Sequence, residues 1–380
     1  AAEQWTPAFS MQFKNVSGTA ISPDGSRIAY VVREPLMEGE KSEYLSHIWM
    51  ATADGKLNFQ FTQGEKSCSN PSFSPDGEWL AFTSSRGGKK SQIWLMRVRG
   101  GEAEKLTDAK NSVGSYQWSP DGKQIAYTMT DPDSKEEEKA KQEKRHVILV
   151  DQNFKYRHLY KIAIAKNDSG QHEVQRLTAG EFTVGSFDWA PDGQTIVFDH
   201  APDPRVNTGF RTADIATVPA DSGAVTPLVT WPGADRNPLY SPDGKQIAFT
   251  SHGGTPQEIG LRDVYVISAG GGSPKKLADT HDRNASLIGW DKNSAHIYFS
   301  EPHRTTRHVF ALPVNGGAAK MVTKGDGIFG SPALNKNADR MAFSFQSVDK
   351  PVEIYSSPVH NFKMTQISTV NADISLPPMG

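Results

Sequence analysis

Five aspartates recur in one local pattern: Asp24, Asp76, Asp121, Asp192 and Asp243 each follow a proline and precede a glycine. Carboxylates at a regular interval raise the idea of a metal ring. Local chemistry accounts for them more simply, because an Asp between Pro and Gly bonds its own backbone and caps a tight turn. No His/Cys set has zinc spacing, and neither an EF-hand loop nor a phosphate-binding Gly loop occurs. The glycines at Gly100-Gly101, Gly270-Gly271-Gly272 and Gly316-Gly317 lie between strand-like runs, where hairpin turns need positive φ. The nucleophile elbow G-x-S-x-G is absent at every serine. Eleven histidines are scattered, and none pairs locally with a candidate Ser nucleophile or with Cys68, the single cysteine. The residues thus offer no constellation that catalyses by itself, and they call for no metal and no cofactor.

The elements around these aspartates carry the main signal. Trp118-Ser119-Pro120-Asp121-Gly122-Lys123-Gln124-Ile125-Ala126-Tyr127 reads as strand, tight turn, strand. Ile125 and Tyr127 alternate with Ala126, the period of a strand. The same hairpin recurs along the chain, as at Ile21-Ser22-Pro23-Asp24-Gly25, Phe73-Ser74-Pro75-Asp76-Gly77 and Tyr240-Ser241-Pro242-Asp243-Gly244. Two later units are degenerate at the turn, reading Trp290-Asp291-Lys292-Asn293 and Leu334-Asn335-Lys336-Asn337. Further apolar runs follow each hairpin, such as Ile93-Trp94-Leu95 and Lys105-Leu106-Thr107.

Four short strands per unit in seven units predict an all-β fold, a seven-bladed β-propeller. The blades are expected at about 16–63, 71–108, 112–179, 184–231, 237–279, 285–324 and 328–369. Residues 1–15 form an N-terminal segment, and 370–380 a tail. The units fit in phase, so closure is expected without strand exchange, through packing of the first blade on the seventh.

Composition sets outer limits. Net charge is −2 with both signs interspersed, which gives no electrostatic footprint for nucleic acid. No apolar run is long enough for a membrane-spanning helix. One cysteine excludes an internal disulfide. The opening Ala1-Ala2-Glu3-Gln4 is what signal-peptide cleavage leaves, so a periplasmic or secreted protein is expected, with a cytoplasmic one as the alternative.

One spacing breaks the rule: 71 residues separate Asp121 from Asp192. The excess holds the charge run Asp133–Lys144 and the apolar run Val147-Ile148-Leu149-Val150. Helix-forming residues with i,i+4 pairs such as Glu137–Lys141, and no apolar stripe, predict a solvated loop or short helix.

The F/W-S-P-D-G-x-x-I-A-F/Y repeats resemble those shared by the Tol-system propeller and the prolyl oligopeptidase family of serine peptidases. The long insertion Asp131–Arg157, with Val150-Asp151-Gln152-Asn153-Phe154-Lys155-Tyr156-Arg157, is similar to bacterial acylaminoacyl-peptidase and dipeptidyl-peptidase members. So are Ser347-Val348-Asp349-Lys350-Pro351-Val352-Glu353-Ile354-Tyr355 in the last unit and the tail Asn371–Gly380, which resembles the linker before their α/β-hydrolase domain.

The resemblance implies a non-catalytic propeller that gates a serine exopeptidase or oligopeptidase, with short peptides as substrate. The Ser-Asp-His triad would reside in a C-terminal hydrolase domain, on the same or a separate chain. This chain alone is not expected to be an enzyme. The alternative is a stand-alone cell-envelope propeller that binds another protein, and self-association is compatible with either. The longer connections between second and third strands (Val32–Ser46, the insertion, Asp199–Thr212, Ser251–Arg262) are expected on one face, toward hydrolase and substrate. Asp199, His200 and Arg205 are the expected substrate-binding residues there.

Overall fold

The computed structural model describes residues 5–147, 151–256 and 260–374. The chain divides into two compact units. One comprises Ala1–Lys89, Ile93–Lys105 and Lys276–Gly380; the other comprises Lys90–Gln92 and Leu106–Lys275. Among the described residues, 28 strands form four-stranded antiparallel meanders, each built from consecutive strands. In the sixth and seventh, a single parallel bridge, Arg307 to Ile328, joins the third strand of one meander to the first strand of the other.

The repeated turn explains the repeated strand pair. Ser119 Oγ donates to Asp121 Oδ1 at 2.6 Å and accepts from Gln124 N at 3.0 Å. Asp121 Oδ1 also accepts from Lys123 N at 3.0 Å, while Gly122 sits at φ 71°. The same bonds recur around Asp24, Asp76 and Asp243. The Ser74 hydroxyl and Glu78 amide accordingly hold the Asp76 carboxyl below the usual carboxylate range. These aspartates are turn caps, each within its own meander.

The two degenerate turns keep this geometry by merging two roles into one side chain. Asp291 stands where the other units have serine, and its Oδ1 accepts from both Ala295 N and His296 N. Asn335 does the same for Asp339 N and Arg340 N. Ser294 and Ala338 take the positive φ that glycine supplies elsewhere. In the fourth meander Ala190 replaces the turn serine, so Thr195 N lacks the hydroxyl acceptor seen at Ser119. Ala190→Ser is expected to raise stability by about 0.5–1.5 kcal/mol. Urea unfolding checks this, and a lower midpoint would show that the turn is not transferable between meanders.

The second strands are buried on both faces, which departs from simple alternation. Ile28-Ala29-Tyr30, Leu80-Ala81-Phe82, Ile125-Ala126-Tyr127 and Ile247-Ala248-Phe249 are all buried. The reason is sheet-on-sheet packing, which gives near-continuous apolar runs. The small middle residue lets the next sheet approach: Ala126 packs with Phe187, Ile196 and Phe198, and Ala29 with Leu80 and Phe82.

A second recurring device ends the first, third, sixth and seventh meanders. Thr62, Thr178, Thr323 and Ser368 accept, through the side-chain hydroxyl, the backbone N–H of Ile48, Leu159, Val309 and Ile354. The residue before each of those amides adds a side-chain partner in three cases: His158 to Thr178, His308 to Thr323 and Glu353 to Ser368. These hydroxyl-bearing endings are therefore clamps across the sheet.

In the first unit the chain's early and late strands meet without exchanging one. Asn371 is 1% exposed. Its Oδ1 accepts from Lys14 N at 2.9 Å, and its Nδ2 donates to Lys14 O at 2.9 Å and Val352 O at 3.0 Å. Ser356 Oγ donates to Ala53 O at 2.7 Å. The segment before the first strand holds a short helix, Pro7–Ser10, capped by the Thr6 hydroxyl.

Candidate functional site

Of the connections expected on one face, one is mostly paired strand and another begins later than expected. Val32–Ser46 belongs to one long hairpin, with Arg27–Glu38 and Lys41–Thr52 paired through to Glu38 and Lys41. Asp199 and His200 lie within the strand Thr195–Ala201, not in the segment after it. The apolar residues of that second strand and its unbroken register to Asp214–Pro219 carry pairing further than turn signals suggest.

In the third meander the charged run forms the helix Lys135–Gln142, which buries no residue. A capping box starts it: Ser134 Oγ accepts from Glu137 N, and Glu137 Oε2 accepts from Ser134 N at 2.6 Å. The expected Glu137–Lys141 pair does not form. Glu137 instead meets Lys155 at 2.5 Å, and Lys141 meets Asp133 at 2.5 Å. Tertiary partners displace the i,i+4 neighbour because surface pairs are worth so little. Of the apolar run 147–150, Val147 is exposed and the other three positions fall outside the described residues.

The three expected site residues do not converge. Asp199 is 3% exposed, and its Oδ2 accepts from Ser186 N at 3.2 Å and Asn237 N at 3.0 Å. Ser186 Oγ donates to Asn237 Oδ1 at 2.9 Å. Asp199 therefore staples the first strands of the fourth and fifth meanders. Burial pushes its carboxyl up, against those amides and the nearby Arg236. His200 is half-buried, with its ring 5.1 Å from Phe182 and 5.7 Å from Phe198. Burial lowers its pKa, which favours the neutral ring.

Arg205 is the solvent-facing member. It precedes the helix Val206–Thr212, and Asp203 grips it through Nε at 3.1 Å and Nη2 at 2.6 Å. Its guanidinium also lies 5.6 Å from the Phe154 ring and 3.9 Å from Asp151. This links the third meander's insertion to the fourth meander's connection. A paired guanidinium of this kind can meet an anionic group, but two of its five N–H groups are already spent on Asp203.

Sequence reasoning missed the basic group against the helix Val206–Thr212. Arg236 donates to Gly209 O at 3.1 Å and lies 5.4 Å from the Phe210 ring. A side chain at position 209 would collide with its guanidinium. Burial lowers the pKa of His252, as do Arg262 and Arg236. Burial and Arg236 likewise lower that of Arg262. Arg236 lies in the strand Asp235–Tyr240 and Arg262 just before the strand Asp263–Ser268, so no local motif announces them.

Asp188 carries the clearest pH signal in this region. Its Oδ2 accepts from Tyr240 N at 2.8 Å. Although part of the residue reaches solvent, loss of hydration around the carboxyl pushes its pKa up to about 7. An acid raised on folding gives stability that is full below its unfolded pKa and is lost as pH rises to the folded value. Asp188→Asn keeps an acceptor for Tyr240 N and removes the charge. Its melting temperature should match the parent near pH 4 and exceed it by several degrees at pH 7.5. Parallel pH dependence in the two proteins would exclude Asp188 as the source.

Comparison with known proteins agrees with this fold. Residues 7–155 match the model of the TolB beta propeller domain. Dipeptidyl-peptidase 5 of Porphyromonas gingivalis is 26% identical over 400 residues, covering 93% of this chain and 54% of that protein. Dipeptidyl-peptidase 5 of Arthroderma otae is 27% identical over 198 residues, covering 49% of this chain and 26% of that protein. The chain thus spans about half the length, or less, of these relatives. Acylaminoacyl peptidase of Pyrococcus horikoshii superposes with a TM-score of 0.70 at 18% identity, covering 97% of this chain and 55% of that one. The β-propeller domain of the Trilobed protease from Pyrococcus furiosus, described as having an open velcro topology, gives 0.65 at 15% identity, covering 94% and 99%. The chain has the β-propeller fold, similar in sequence to the matched half of dipeptidyl-peptidase 5 and in fold to the matched half of acylaminoacyl peptidase.

Proposed function

We propose that this chain is the non-catalytic, substrate-gating half of a serine exopeptidase or oligopeptidase that acts on short peptides. The observation that carries the reading is the match over 93% of the chain to about half of a dipeptidyl-peptidase 5. The catalytic Ser-Asp-His set then belongs to an α/β-hydrolase partner, consistent with the lack of a nucleophile elbow among these residues. The meanders would arrange as a seven-bladed propeller, closed without strand exchange through the Asn371–Lys14 clasp. Export to the periplasm or medium fits a peptide-scavenging enzyme.

The test expresses the entire source reading frame and assays release of chromophore from dipeptidyl and N-acylaminoacyl substrates. Hydrolysis blocked by a serine-directed organophosphate is expected, with none from residues 1–380 alone. A frame without a hydrolase domain, and no hydrolase co-purifying, would sink the reading. In the active enzyme Arg205→Ala is expected to lower kcat/KM several-fold, since Arg205 is the exposed member of the candidate site. An unchanged kcat/KM and substrate preference would remove Arg205 from it. The match of residues 7–155 to the TolB model favours a second reading, a stand-alone cell-envelope scaffold for another protein. Capture of a defined partner with no hydrolysis would favour it.

A further inference from the structure

A cleft of about 860 Å³ opens within the first unit between the first strands of the sixth and seventh meanders, Ser286–Trp290 and Ile328–Leu334. That volume falls in the usual range for ligand pockets. Its walls mix apolar side chains, including Leu287, Ile288 and Ile328, with Ser300, Ser331 and Arg307. Arg307 is the one cationic side chain in this lining. Its Nη1 donates to Ser300 Oγ at 3.3 Å, and it forms no ion pair among the described residues. Its backbone is fixed as well, because Arg307 N donates to Gly327 O and its strand bridges to Ile328.

The strand Ser286–Trp290 is also the edge of its sheet, pairing with His296–His303 alone. An edge strand presents backbone donors and acceptors that an extended peptide can pair with. On the facing wall, Ser331 at φ 44° sits in a break of the pairing between Ile328–Leu334 and Arg340–Ser347, from Gly330 to Ala333. The cleft therefore combines a backbone edge, apolar walls and one anchored guanidinium without a carboxylate partner.

We propose that this cleft binds the free C-terminal carboxylate of a short extended peptide, with Arg307 as its anchor. The guanidinium fork matches a carboxylate bidentately, and Ser300 holds it in place. The peptide class of ligand rests on the reading given under Proposed function; the carboxylate requirement comes from Arg307 and its surroundings.

Isothermal titration of the 380-residue chain with Ala-Ala-Ala, its C-terminal amide and its N-acetyl form tests this. Saturable binding of the free acid is expected, unchanged by N-acetylation and weakened about tenfold or more in the amide. Arg307→Gln should weaken the free acid to the same extent and leave the amide unaffected. Ser300→Ala, a milder change, should cost a few-fold, and thermal melts of both variants check that the fold persists. Equal binding of acid and amide, no saturation at millimolar peptide, or full affinity in Arg307→Gln would each overturn the proposal. Hydrolysis by the full-length product together with any of those outcomes would overturn this inference alone. Carboxylate-dependent binding without hydrolysis would leave it standing and sink the peptidase reading.

Discussion

Gly185→Ala is expected to destabilise the chain by about 3–5 kcal/mol, the largest effect of any single methyl group considered. A Cβ at position 185 would fall far inside contact distance of Asp199 Oδ1. Asp199 cannot simply turn away. Its other oxygen holds Ser186 N and Asn237 N, and leaving them strands two amides in a site that is 3% exposed. The glycine is needed for space, since its φ is not in the left-handed region. Asp199→Ala in the Gly185→Ala background should recover part of the loss, with a coupling of about 1–3 kcal/mol in the double-mutant cycle. Asp199→Asn, equal in size, should not rescue. Urea unfolding of the four proteins decides the matter, and strict additivity of Gly185→Ala and Asp199→Ala would refute the steric account.

Asn371→Ala is the second large effect, at about 2–4 kcal/mol. Three side-chain bonds vanish at once, and the Lys14 and Val352 carbonyls lose a donor that no neighbouring side chain replaces. The Asn371 backbone N–H still reaches Glu353, so the late strand stays anchored while the early one is released. Asn371→Asp should be no better. It keeps an acceptor for Lys14 N but turns oxygens toward two carbonyls. Loss of amide-exchange protection at Asn15–Ile21, measured beside the urea midpoint, separates release of the first strand from general weakening. A loss below about 0.5 kcal/mol would mean that the clasp is incidental to stability.

Much of the architecture was legible in the residues themselves. The Ser-Pro-Asp-Gly turn is a local object whose bonds span five residues, so its recurrence marks each first hairpin without reference to the rest of the molecule. The apolar second strands are likewise periodic, and with the turns they make up the repeat on which the family resemblance rests. Even Asp291 and Asn335, which break the pattern in letters, sit where the repeat requires a cap.

What the tertiary structure alone decided depends on neighbours far apart in the chain. Asp199 looks in sequence like a polar residue near a loop. Only the arrival of Asn237, 38 positions later, turns it into a buried staple, whose burial pushes the carboxyl pKa upward against the amides it holds. Glu137 finds Lys155 in place of Lys141, because a tertiary partner costs no more to hold than a helical one. Asn371 meets Lys14 across 357 positions, and Arg307 faces a cleft whose far wall is another meander. Turn chemistry and strand period are short-range and therefore written locally. Burial, charge pairing and site geometry are properties of sheets packed together, and no window of the sequence contains both partners.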